Sequence, residues 1–273
     1  MVFRGGRRTS GLHRAVLKAL TLGLGLVGSI GLTAAASASE SARLSVGFSP
    51  DKLGASTTIL VGFRIDTPNK EVPSPVTNVS LRLPAGVGLG ESTLGFATCT
   101  AITLETQGLE GCSPNAFMGF GSALVEVPFG PEIVDEPVRL VIIMGPPANG
   151  HTTMLFYAEG VSPVAATLVF PGVLLPDAGP FGANLDTAIP LTPSVPGSAD
   201  AAVVTMHSGL GPRSLIYNKH VHGKEVHYRP QGMAVPETCP RGGFPFSATF
   251  TFQDGTTTVS TSSVPCPTSR TTH

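Results

Sequence analysis

The 273-residue chain has no tryptophan, only three tyrosines and four cysteines, and 13% charged residues. With so few large aromatics of these two types, no platform on which a sugar ring could stack is evident. The cysteines show no CxxC spacing, which disfavours a structural zinc site built on thiolates. A GxSxG nucleophile elbow, an HExxH pair and a Walker loop are all missing. The formal SxxK match from Ser49 to Lys52 stands without SDN or KTG companions. No catalytic residue is assigned from sequence, and a non-enzymatic protein is the favoured reading.

What is present begins with an export pattern. Arg4, Arg7, Arg8, Arg14 and Lys18 precede the apolar run "LTLGLGLVGSIGLTAAASAS", and Ala36-Ser37-Ala38 supplies the small residues of a cleavage site. Residues 1–38 are therefore read as a signal peptide and 39–273 as a secreted domain, with no membrane insertion after cleavage. An uncleaved anchor is the weaker alternative, and the Arg7-Arg8 pair leaves the export route open between general secretion and the twin-arginine system. Removing those five of the 17 Lys/Arg, and none of the 18 Asp/Glu, leaves 12 bases against 18 acids, a formal charge of −6. Nucleic acid and anionic membrane surfaces are poor partners for such a chain, because both demand a basic face.

The secreted part reads as all-β. Gly (33) and Pro (25) are abundant and interrupt short Val/Thr-rich runs, so that about twelve strands can be marked, each bounded by turn residues. No 3.6-residue apolar period lasts long enough for a confident helix. The segment "VSLRLP" alternates cleanly, as a half-exposed strand should, whereas "VRLVIIMGPPANGHTTMLFYA" is apolar on both faces. Leu140, Ile142, Leu155 and Phe156 are the expected centre of the core. Roughly 235 residues suffice for one large antiparallel β-sandwich. The turn-rich stretch 171–200 reads as a crossover loop or, alternatively, as a divide between two β subdomains.

An even set of cysteines in an exported chain points to disulfides, and pairing of sequence neighbours gives Cys99 with Cys112 and Cys239 with Cys266. In "CPRGGFPFSATFTFQDGTTTVSTSSVPC", Phe244, Phe246, Ala248, Phe250 and Phe252 share one strand face, and Asp254-Gly255 predicts a two-residue turn that sets Phe250 opposite Val259. The "CPRGG" segment must then fold back to bring Cys239 to Cys266.

The combination of "GFPFSATFTFQDGTTTVSTSSVPCP", "SLRLPAGVGLGESTLGFATC" and "HYRPQGMAVPETCPRGGFPF" resembles a group of exported actinobacterial proteins to which no activity is attached. The resemblance spans most of the secreted part, and it implies an immunoglobulin-like form of the β-sandwich.

One constellation has chemical promise. In "YNKHVHGKEVHYRP", a two-residue turn at Gly223-Lys224 sets His222 opposite Glu225 and His220 opposite His227. His220, His222, Glu225 and His227 would then share one face as a candidate Zn or Cu site. Val221 and Val226 would point inward. The cluster "EIVDE" (Glu132, Asp135, Glu136) reads as a solvated loop. The leading functional expectation is a secreted or cell-envelope module that binds a protein, a glycan or an envelope component. A metal-binding protein using the histidine hairpin and a hydrolase with an unrecognised site are the alternatives.

Overall fold

The computed structural model describes residues 40–68, 71–88, 93–162, 165–193 and 198–267. The expected signal peptide lies outside them. In chain order the elements are β1 (Ser41–Ser49), β2 (Ser56–Asp66), β3 (Val76–Pro84), a short helix α1 (Ala101–Gln107), β4 (Phe117–Phe129), β5 (Glu132–Met144), β6 (Thr152–Gly160) and β7 (Ala166–Pro176). They continue with β8 (Phe181–Ala188), β9 (Ala202–Leu210), β10 (Tyr217–Val221), β11 (Lys224–Tyr228), β12 (Met233–Ala234), β13 (Phe244–Phe252) and β14 (Thr257–Val264).

Eleven of these strands form one antiparallel path in the order β1-β2-β9-β4-β5-β6-β7-β8-β3-β13-β14, with β12 added beside β2. The two ends of the path meet, because the Leu44 N–H on β1 donates to Ser260 Oγ on β14 at 3.0 Å. The all-β, antiparallel expectation with about twelve strands stands, but the two packed sheets of a sandwich are replaced by one sheet curled into a near-barrel. Stretch 171–200 is not loop throughout, and only the part beyond β8 crosses over, from β8 to the non-adjacent β9. Its first half is the end of β7 and the whole of β8, which pair with each other in the same sheet.

Period-2 alternation explains the curl. Val79 and Leu81 of β3 face inward with Phe250 and Ala248 of β13, their direct partners across the ladder, and Leu83 follows on the same face. Between them Asn78, Ser80 and Arg82 face outward, where they bond Asp186 (3.2 Å), Asn184 (2.8 Å) and Asp177 (3.0 Å). Arg82 also lies over the Phe181 ring at 4.1 Å. An apolar face this broad is removed from water by bending the sheet upon itself.

β5 and β6 are apolar on both faces because both are covered. Leu140, Ile142, Met154 and Phe156 face the barrel interior, while Val141, Ile143, Leu155 and Tyr157 face out into a second cluster under α1. The expected core therefore splits: Leu155 belongs to the outer cluster. There α1 is held by the Cys99–Cys112 disulfide, started by the Thr100 side chain, which accepts from the Thr103 N–H, and ended at Gly108. Buried Leu104 is its anchor.

The second disulfide, Cys239–Cys266, ties the chain before β13 to the chain after β14, with Cα atoms 5.7 Å apart. The chain folds back there as the spacing required, through Gly242 and Gly243, both at φ near +90°. The hairpin itself differs by one residue from expectation. Its loop is the three residues Gln253-Asp254-Gly255, closed by the Phe252 N–H to Thr256 O bond, so Phe250 faces Thr258 and Val259 faces Thr249. Gly255, at φ +84°, takes the left-handed position that a three-residue hairpin loop demands.

Phe250 is fully buried, whereas Thr251 is half-exposed on the outer side. Phe250→Ser is expected to cost about 3–5 kcal/mol in chemical denaturation, the range for deleting a buried aromatic, and Thr251→Ser less than about 0.5 kcal/mol. Equal costs would contradict the inward assignment. Replacing Cys239 and Cys266 together by alanine should lower stability by about 2–5 kcal/mol, as for native disulfides of secreted domains; an unchanged denaturation midpoint would show that the closure constrains nothing.

Candidate functional site

The histidine hairpin is built differently from the sequence expectation. The two residues of its turn are His222 and Gly223, both at positive φ (50° and 76°), which is the type I′ geometry favoured by the twist of paired strands. Pairing then sets His220 opposite Glu225 and His227 opposite Asn218, two positions away from the predicted register. His222 sits in the turn rather than on the shared face. His227 Nδ1 lies 2.6 Å from Asn218 Oδ1. Among the described residues no group of three or more His, Cys, Asp or Glu is gathered closely enough to hold a metal ion. The hairpin is also not tucked against the core, since Val221 and Val226 are both exposed. Its base alone is anchored. Tyr217 is fully buried, donates through its hydroxyl to Phe117 O, accepts from the Gly95 N–H at 3.0 Å, and packs edge-on against Tyr228.

The other histidines are dispersed. His151 closes a turn with Ala148. His207 stands exposed on the outer face of β9, over Gly62, beside a shallow open hollow in which it is the one ionisable group among the described residues.

The barrel interior offers a more demanding site. Around β13 it is densely packed: Phe244, Phe246, Phe250 and Phe252 are all at most 2% exposed. Along the arc from β2 through β9 and β4 to β8 and β3 it is not. Val125, Val138, Phe156, Leu168, Leu185 and Val203 line the interior yet remain only half-buried. The space they leave is a cavity of about 230 Å³, walled almost entirely by apolar side chains. Small residues on neighbouring strands, Ala123, Ala158, Gly160 and Ala166, help to open it.

One carboxylate breaks this apolar wall. Glu136 lines the cavity at 4% exposure, and its Oε1 has no hydrogen-bond partner. It pairs across the ladder with Val125, which in turn pairs with Val203, so the three share one inward row. Among the described residues that line the cavity there is no lysine, arginine or histidine; the remaining polar side chains are Thr187, Thr192 and Ser208. Isolated burial of a carboxylate is costly unless something satisfies it. The cluster "EIVDE" is thus not a solvated loop: Glu132 and Asp135 are exposed on β5, but Glu136 turns inward.

No protein family, curated protein or solved structure matches the chain. The site must be read from its own chemistry.

The outer neighbour of Glu136 behaves differently. Glu126 faces Asp135 across the β4–β5 ladder, and partial burial first, then the Asp135 charge, push its carboxyl above the ordinary value against the pull of Arg64. A raised value means that the folded state holds this proton more tightly than the unfolded chain does, so ionisation of Glu126 costs stability. That cost is full above the folded pKa and is relieved as pH falls through it. Glu126→Gln should therefore raise stability at neutral pH, by no more than about 1 kcal/mol given solvent screening, and the difference should fade by about pH 4. Denaturant melts at the two pH values check the sign.

Proposed function

We propose that this protein is a secreted, water-soluble barrel that binds an apolar, lipid-like molecule of the cell envelope in its interior, without catalysing a reaction. The observation that supports this most strongly is the contrast between two regions of one interior. Around the phenylalanines of β13 the side chains fill the space, and along the arc from β2 through β9 and β4 to β8 and β3 they leave about 230 Å³ open. Interiors are ordinarily close-packed, and a void lined by apolar groups is costly to leave empty. Its size lies just below the usual range of small-molecule sites, roughly 300–1,000 Å³, and its apolar walls match their character.

The polarity of the two faces supports the soluble reading. A membrane-spanning barrel turns an apolar band outward and a polar surface inward. Here the outward side chains of β3 bond to polar partners, Asn78 to Asp186 and Ser80 to Asn184 on β8 and Arg82 to Asp177 in the turn before it, and the inward ones are Val79, Leu81 and Leu83. Two disulfides fit an oxidising compartment. The N-terminal export pattern and the resemblance to exported actinobacterial proteins point to the same location.

Occupying the void from within the chain tests the reading. Ala158 lines the cavity, opposite Leu140 on one side and Leu168 on the other. Ala158→Phe should leave thermal stability unchanged or raised, because the added ring enters open space; in a filled core the same change would cost about 1–3 kcal/mol. Titration with the neutral dye prodan, followed by its fluorescence, should show binding to the wild type and at least a tenfold loss in the variant. Equal binding by both proteins, or none by the wild type, would overturn the proposal.

A further inference from the structure

We infer that Glu136 selects the ligand: the cavity takes an amphipathic molecule whose head donates hydrogen bonds, best of all an ammonium, and whose apolar tail lies between β5 and β8. This rests on the apolar-cavity reading above and adds to it the chemistry of the head.

Three observations converge on it. First, Glu136 is 96% removed from solvent while its Oε1 bonds to nothing, so the protein itself leaves an acceptor unsatisfied. Such a group in a native structure calls for an explanation, and a partner from outside the chain, a water, an ion or a ligand, is one. Second, among the described residues no cationic side chain lines the cavity beside it. An ionised carboxylate only accepts hydrogen bonds, and it prefers a charged donor to a neutral one. Third, space is provided beside it. Val138, the next inward residue on β5, pairs with Gly160, and Gly160 pairs with Ala166, so the wall next to the carboxylate is made of the smallest side chains available. The apolar remainder of the cavity, from Leu140 to Leu168 and Leu185, accepts a tail.

The geometry also says what is rejected. A fatty-acid carboxylate placed with its head at Glu136 would set two like charges together between apolar walls, where their repulsion is weakly screened. Ligand choice thus depends on the sign of the head group rather than on the tail.

Three probes with one tail separate the possibilities: decylammonium, decanol and decanoate, titrated calorimetrically into the disulfide-intact protein at neutral pH. The wild type should bind decylammonium about tenfold or more tighter than decanol, the gain expected when a charge-assisted hydrogen bond replaces a neutral one, and decanoate weakest. Glu136→Gln should lose that preference, bringing decylammonium to the level of decanol while decanol itself changes little. Thermal melts of the variant establish that it folds, and the wild-type ranking decides the matter independently of any variant. If decanol binds but decylammonium gains nothing over it, or if decanoate is preferred, the head-group inference falls and the apolar cavity stands. If none of the three binds, both fall.

Discussion

The structure depends on the closure of its sheet. An antiparallel sheet with one apolar face must cover that face, and here the first and last strands are brought together by aromatic packing. Phe48 of β1 packs against Phe244 and Phe246 of β13, with ring centres 5.3 and 6.1 Å away, and Phe63 of β2 meets Phe250 at 5.0 Å. These rings are worth more than their area alone, because edge-on pairs add to burial. The seam between β1 and β14 needs little else. Ser260 supplies a side-chain acceptor to the Leu44 N–H, so that one edge donor of β1 is met by β14 rather than left open to another chain.

That arrangement divides the labour inside the barrel. The strands next to the seam spend the bulky residues, and so the barrel is held shut from one side. The wall from β4 to β8 is free of that task and carries the carboxylate and small side chains at Ala123, Ala158, Gly160 and Ala166, and the unfilled volume lies between it and inward residues of β2, β3 and β9. It is braced from outside instead, where the Cys99–Cys112 loop lays Leu104 against Val141, Ile143, Leu155 and Tyr157. A wall covered on its outer face can tolerate an incompletely packed inner one. An unpaired buried carboxylate lowers stability, and its retention beside open space fits a site kept for a ligand at some cost to the fold.

Much of this architecture was legible in the residues. The phenylalanines of β13 declare their face by alternation, and the two-sided apolarity of β5 and β6 announces cover on both sides. The inward position of Glu136 was legible too, although "EIVDE" suggests a loop. Counting back in twos from Ile142 through Leu140 and Val138 reaches Glu136, on the inner face. The intervening Pro137 and the neighbouring acids hid that continuation. In the histidine hairpin the misleading signal was Gly223-Lys224. His222 adopts positive φ beside Gly223, and the turn moves one residue back, which takes the pairing register two positions away and separates the imidazoles.

The sequence by itself determined the secondary structure class, the disulfide pairing and which residues of most strands face inward, because alternation and chain proximity are local properties. Only the tertiary structure decided that the inward faces belong to one curled sheet rather than to two packed ones, since that depends on which distant strands become neighbours. β9 inserts between β2 and β4, and β3 lies between β8 and β13. The cavity follows from the same nonlocal order: no stretch of sequence records how much volume Val125, Gly160 and Leu185 enclose together, because volume is a property of the closed wall and not of any strand in it.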